Sequence, residues 1–448
     1  MGMAGFYNNN NMNMNINNNI NGIYDNREKL CPYNPIINKD NINEYNDTTF
    51  INSVLISFSS LKYISIWMHN LDNQRQQILS NNQNSLTKEL YILYYNLYKG
   101  FEVDSSNFIL NYNNKYSTIY KGMKLYDDPY HFLFYLIDLI HLENNFPPNP
   151  NFNLNILETQ TIDNLRNDDY MFNLFGSFFQ QTQNSIISNY FYNIIKNQVV
   201  CNLCSKLYFY TYKFILKFDI DNYKLYRNQA YPQRSTSNLS MSECFDCYTG
   251  GYSKKCQKCQ SPDAFQYSSI ISNSKILIIA LYRNNHIFKC DLDFPNRFNL
   301  YDYCNNKNIS QNYNYKLQAC ISMNNQKQYF ADILINNYWF RFFQNEKIML
   351  GDVQLEMHTH EPQLLFYELE ERQMYNNGYI IPTYFANNIN NMIVNNRFNN
   401  INFMPMNIWQ QNIAKQNLLR QYQLIGQVNM MMQNMRINNF MNQNKFFC

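Results

Sequence analysis

Charge is what this sequence has least of. Acidic and basic side chains make up 15% of its 448 residues, against about 25% in an average soluble domain, and the formal net charge is only +3. Lysine and arginine are scattered rather than gathered into a stripe, which removes the electrostatic footprint expected of a nucleic-acid binder. No apolar run reaches the ~18 residues of a membrane span. The opening residues lack the basic, apolar and small-residue order of a secretory signal, so no membrane partner is expected. Histidine is scarce, at six residues, and this confines imidazole chemistry to a few positions. Glycine (11) and proline (12) are also low, while asparagine is abundant. That bias suits an AT-rich genome and weakens every propensity argument. Six of the eleven cysteines fall in CxxC pairs. Such pairs read as reduced thiols and a metal site rather than a disulfide framework, and the expected compartment is cytoplasmic or nuclear.

The length allows two to three domains, or one large domain with extensions. Residues 1–40 are of low complexity, with Asn8 to Asn21 almost entirely Asn, Met and Ile. Such a tract buries too little apolar surface to offset its ordering entropy, and disorder is expected, with a short ordered piece around Leu30 to Tyr33. Residues 371–448 are Asn- and Met-rich as well, though Trp409, Ile413, Leu418, Tyr422, Ile425 and Met430 suggest an amphipathic helix. Between these ends, Ser53, Leu55, Ile56, Phe58 and Leu61 have helical spacing. Residues 166–197 are expected to be helical, and Phe209 to Ile220 alternates like one strand. Lys275 to Arg283 reads as a buried strand. No internal repeat is evident.

Two cysteine pairs, Cys201/Cys204 and Cys256/Cys259, could bring four thiolates into tetrahedral reach, the usual closed structural zinc site. A third pair, Cys244/Cys247, competes with them. His358, His360 and Glu361 form a lone cluster before Pro362 that also has metal-binding groups.

Tyr45 to Leu55 resembles the first active-site box of the ubiquitin-specific proteases, roughly Gly-Asn-Thr-Cys-Tyr-Met-Asn-Ser-x-Leu. Thr48, Asn52, Ser53 and Leu55 match, and the nucleophile column falls on Thr49. The oxyanion asparagine column, five residues earlier, falls on Glu44. Tyr126 to His141 resembles the Gln-Gln-Asp-x-x-Glu-Phe-Leu box. In that family this acidic corner receives the ubiquitin tail, so Asp127 and Asp128 are tail-binding candidates; the local alternative is a helix N-cap followed by Pro129. Tyr315 to Ser322 resembles the strand before the Gly-His-Tyr triplet, here Lys327-Gln328-Tyr329, and Tyr329 joins the tail-binding candidates. The histidine-orienting aspartate column falls on Phe343, or on Gln344 if shifted by one. Leu364 to Glu368 resembles the closing strand.

The resemblance covers residues 41–370 in the family's usual box order. It implies an α+β, papain-like cysteine-protease fold with a thumb (about 41–197), zinc-ribbon fingers (about 198–265) and a palm (about 266–370). It also places Cys244 at a packing position, which favours Cys201, Cys204, Cys256 and Cys259 as the zinc ligands. Chemistry at the triad columns is another matter. A thiol beside histidine forms a populated, strongly nucleophilic thiolate, whereas threonine nucleophiles use their own N-terminal amine as base, and Thr49 is internal. Gln328 cannot take a proton near neutral pH. Glu44 cannot donate to an oxyanion. An inactive homologue serving as a ubiquitin- or protein-binding scaffold is expected. The alternatives are a divergent active deubiquitinase and a structural subunit without ubiquitin binding.

Overall fold

The computed structural model describes residues 33–37, 48–72, 85–123, 125, 128–145, 167–203, 207–230, 238–250, 252–254, 256, 259–261, 264–283, 292–304, 313–351 and 360–370. The expected helix beyond residue 408 and most of the Asn-rich tail lie outside them.

The described chain begins with a short strand inside the tail expected to be disordered: β1 (Ile36–Ile37). A helical subdomain follows, made of α1 (Thr49–Ser59), α2 (Lys62–Asp72), α3 (Leu86–Tyr98), β2 (Val103–Asp104), α4 (Ser106–Ile119), α5 (Pro129–Asn144), α6 (Asp168–Thr182) and α7 (Ile186–Phe191). Next come β3 (Asn193–Cys201), β4 (Leu207–Lys213), β5 (Ile215–Asp219), α8 (Ile220–Ala230), β6 (Leu239–Ser240), α9 (Met241–Thr249), β7 (Tyr252–Lys254), β8 (Ala264–Ser272) and β9 (Ile276–Tyr282). The last part holds β10 (Leu292–Asp293), β11 (Arg297–Asn299), a 3-10 turn at Leu300–Tyr303, β12 (Asn314–Met323), β13 (Tyr329–Ile335), β14 (Tyr338–Phe343), β15 (Glu346–Met349) and β16 (Glu361–Leu369).

Helix α1 is apolar almost all round, which makes it a core helix rather than a surface one. Phe50, Val54, Leu55 and Phe58 are fully buried. Polar groups at helix ends then fix how the thumb packs. The Glu143 carboxylate, at the end of α5, accepts from the backbone N–H of Leu86 and Thr87 at 2.8 Å each and pairs with Lys115. One side chain thus satisfies orphan donors of α3 and ties α3, α4 and α5 together.

The palm is an eight-stranded sheet whose main path runs β15-β14-β13-β12-β16-β9-β5, with β11 beside β12. Only β5 and β9 pair in parallel. Its core packs Leu216, Phe218, Leu277, Ile279, Leu317 and Tyr367 against Cys244 and Phe245 of α9. The fingers are a second sheet, β4-β3-β8-β7.

Two sequence expectations change here. Helix stops at Phe191, and residues 193–197 are strand, because the Ile194-Ile195 and Val199-Val200 pairs are β-branched and suit a pleated surface. The single strand expected over Phe209 to Ile220 is two strands in different sheets. Phe214 alone separates them, and its ring stacks on Tyr192 at 4.4 Å where the chain passes from fingers to palm.

Candidate functional site

Thr49 is the first residue of α1, after the cap residue Thr48, whose side chain makes no capping bond. Its hydroxyl is engaged across 280 residues of sequence: Thr49 Oγ1 accepts from the backbone N–H of Tyr329 at 3.0 Å. Two segments far apart in sequence, the start of α1 and the start of β13, therefore meet. Phe50 extends the junction, its ring lying 6.3 Å from Tyr329 and 5.8 Å from Phe132 of α5, both edge to face.

The space at Thr49 is small. A cavity of about 20 Å³ is lined by Thr49, Asn52, Ile36, Tyr329, Phe342 and Gln344 among others, room for about one water molecule. Among the described residues, no histidine, cysteine or carboxylate lines it. Asn52 closes one side by donating to the Ile36 carbonyl at 2.9 Å, while its Oδ1 accepts from Ser105 at 3.1 Å.

Strand alternation sorts the palm residues. Phe342 and Gln344 line the cavity, whereas Phe343 turns to the other face and meets Phe330 edge to face at 6.5 Å. The residue beside Thr49 is thus Gln344, held in the left-handed region at φ 50° where the hairpin turns. Gln328 lies in the preceding hairpin. Its N–H donates to Asn324 Oδ1 and its carbonyl accepts from Asn324 N, both at 2.9 Å.

Behind this face is a buried ion pair that sequence reading missed. Asp332 is fully buried and accepts two bonds from Arg341, at 2.8 and 2.9 Å. The Arg341 guanidinium lies 4.4 Å from the Phe330 ring and 3.3 Å from His360 Nε2, so His360 is engaged here. Burial, and next the Asp332 charge, push the neighbouring Cys320 thiol up to about 12. A signal was available: a carboxylate inside the apolar run Phe330 to Ile335 has to be paired.

At the start of α5, Asp128 is the N-cap. It accepts from His131 N at 2.9 Å, and its other oxygen lies 2.6 Å from His131 Nδ1. Burial, then the Asp128 charge, raise the Tyr130 phenol. Glu44 and Asp127 lie outside the described residues.

The fingers gather thiols. Sγ atoms of Cys201, Cys256 and Cys259 all lie within 4.8 Å of one another, with Cys201 and Cys259 at 3.5 Å. The second pair sits on a tight turn: Cys256 N–H donates to the Ser261 carbonyl at 2.7 Å, and Gln260 N–H to the Cys256 carbonyl at 2.8 Å. Val199 and Ala264 pack against the buried thiols. Three convergent sulfurs, one at the end of β3 and two on the turn, suit a borderline-soft ion such as zinc and could hold it structurally. Cys204 lies outside the described residues. Cys244 is fully buried in the palm core, and burial raises the Cys247 thiol to about 11.

Three comparisons bear on this arrangement. A chain of the yeast SAGA DUBm matches with 19% identity and a TM-score of 0.50, over 77% of this chain and 70% of that one. A chain of the SAGA Ubp8/Sgf11/Sus1/Sgf73 DUB module bound to ubiquitin aldehyde matches with 17% identity and a TM-score of 0.51, over the same shares. At such identities the likeness is one of fold, a mixed α+β ubiquitin-specific-protease fold. No curated protein matches the sequence. The profile of the family described as ubiquitin carboxyl-terminal hydrolase matches residues 42–367, nearly the whole of the thumb, fingers and palm. The chain belongs to the ubiquitin carboxyl-terminal hydrolase family.

Proposed function

We propose that this chain is a catalytically inactive member of its family that works as a protein-binding scaffold, with ubiquitin or a ubiquitinated protein as the first candidate partner. One observation carries the reading. The Thr49 hydroxyl, at the proposed nucleophile position, accepts from a backbone N–H, in a cavity whose lining among the described residues offers neither a base nor a thiol. Without a base to take its proton, an internal threonine stays a neutral alcohol. Phe343 and Gln328 bring no proton acceptor to the orienting and base columns, and Glu44 brings no donor to the oxyanion column.

Ubiquitin enters through the tail corner. Asp128 keeps a carboxylate partly open to solvent at a helix start reached from Thr49 through Phe50 and Phe132. Asp127, Asp128 and Tyr329 are proposed to hold a basic ubiquitin tail. Another relative of this fold, the SAGA DUB module, is described as bound to monoubiquitin, which supports the choice of partner. Zinc, held by Cys201, Cys204, Cys256 and Cys259, is proposed as a structural ion that closes the fingers. Four thiolates leave no open position for catalysis.

Incubation of the full chain with a fluorogenic ubiquitin substrate, and with an electrophilic ubiquitin probe, should give neither turnover nor labelling. Turnover abolished by Thr49→Ala would refute inactivity, and labelling mapped to one cysteine would establish a divergent active enzyme. Titration of the full chain into isotope-labelled ubiquitin should shift resonances at the ubiquitin tail. Unchanged spectra at high concentration would leave the structural-subunit reading, which the multi-protein composition of the related module favours.

A further inference from the structure

A second cavity lies away from Thr49, at the base of the fingers, and nothing in the reading above uses it. Its volume is about 430 Å³, within the ~300–1,000 Å³ usual for ligand pockets. Gln198 of β3 and Tyr267 of β8 form one wall, and Asp302 and Tyr303 of the 3-10 turn form another.

The lining is polar and its charge is unbalanced. Lys196 also borders the cavity, but its ammonium is already paired with Asp168. Asp302 is exposed, and its carboxylate has no hydrogen bond or ion pair among the described residues. Burial, and after it the charges of Asp246, which lies outside the lining, and of Asp302, raise the Tyr303 phenol. The aromatic walls differ in exposure. Tyr303 is clamped by stacking on Phe245 at 4.6 Å, while Tyr267 is 44% exposed and presents its ring to solvent.

We propose that this cavity binds an arginine side chain presented by a protein partner. The carboxylate of Asp302 supplies the charge, and the Gln198 amide oxygen and tyrosine hydroxyls supply further acceptors. A guanidinium has five donors in a planar fork and also stacks on aromatic faces. An ammonium is a compact point charge, and it uses fewer of these groups. The two tyrosine rings add a cation–π wall. The site is independent of the Thr49 cleft and of whether ubiquitin binds there.

The test uses the full chain and a blocked Gly-Arg-Gly tripeptide, with the same peptide carrying neutral citrulline as control, followed by saturation-transfer NMR. The arginine peptide should saturate with a Kd on the order of 1 mM, and the citrulline peptide should bind about tenfold more weakly or not at all. Asp302→Asn and Tyr267→Ala are solvent-side changes that should keep the melting temperature and weaken arginine binding by about threefold to tenfold each. Equal binding of both peptides, binding unaffected by both variants, or no saturation at tens of millimolar would each overturn the proposal.

Discussion

The thiol cluster of the fingers and the threonine end of α1 are two sites on one family fold with opposite chemical content. In the fingers metal-binding chemistry is present: Cys201 at the end of β3 and Cys256 and Cys259 on their turn bring three sulfurs together. At α1 the architecture is that of the family, and the loss of its chemistry is what we propose. A helix N-terminus meets the β12–β13 hairpin, and among the described residues the cavity between them has no acid, base or thiol in its lining. The difference shows what each site asks of its residues. A metal ligand cannot be replaced without losing the ion, whereas a packed helix end needs only a small side chain with an acceptor.

That contrast can be broken most visibly in the fingers. Structural zinc in small domains contributes roughly 10 kcal/mol or more of folding free energy, so Cys256→Ser should remove one equivalent of bound zinc and lower the melting temperature by about 10 °C or more. Metal analysis and calorimetry check this; an unaltered metal content would mean the thiols are only packed together.

The buried ion pair beneath the Thr49 face comes next. Arg341→Ala leaves the Asp332 carboxylate buried and alone, at an expected cost of about 3–5 kcal/mol in urea unfolding. A double change to Asp332→Leu and Arg341→Met should recover most of that loss. If the single change costs as little as the double one, the pair is not what orders this face.

Proton-linked stability sharpens the comparison, because the shifted groups lie in the thumb rather than at Thr49. Burial lowers His141 to about 4. Its imidazole sits between Ser185 Oγ at 2.6 Å and Gln183 Oε1 at 2.7 Å, so it contributes about 3 kcal/mol that is present above pH ~6.5 and lost as pH falls through about 4. Burial raises Asp138 to about 6 despite its bond from Tyr120. That contribution, about 2 kcal/mol after allowing for partial exposure, is present below pH ~4 and lost as pH rises through about 6. The two slopes oppose each other, so the native chain should have a shallow stability profile between pH 4 and 6. Asp138→Asn should unmask a steep acid loss, measured by denaturant midpoints across that range.

The smallest effect is at Thr49 itself. Thr49→Val keeps the shape and removes the acceptor of the Tyr329 N–H, at an expected cost of about 1–2 kcal/mol, while Thr49→Ser should be nearly neutral. Thr49→Cys should give no turnover of a ubiquitin substrate, because a thiol there still has no histidine to deprotonate it. Turnover by that variant would show that the cleft, unlike the fingers, had lost only one residue.

Much of this was legible from order and spacing. The boxes fall in sequence, the CxxC pairs mark the fingers, and the Lys275 to Arg283 run is found as β9. Residue identity alone determined which chemistry each site has to work with: a threonine hydroxyl at the start of α1, and thiols at the knuckle. What the tertiary structure alone decided are the relations between distant residues. Hairpin register set Asp332 opposite Arg341, and it turned Phe343 toward Phe330 and Gln344 toward Thr49. The packing of α1 on β13 matched a threonine hydroxyl to a backbone N–H 280 residues away. A side chain carries its own acidity and its own donors wherever the chain goes. Its partner is chosen only when burial, strand alternation and loop closure act together, and no stretch of sequence contains all three.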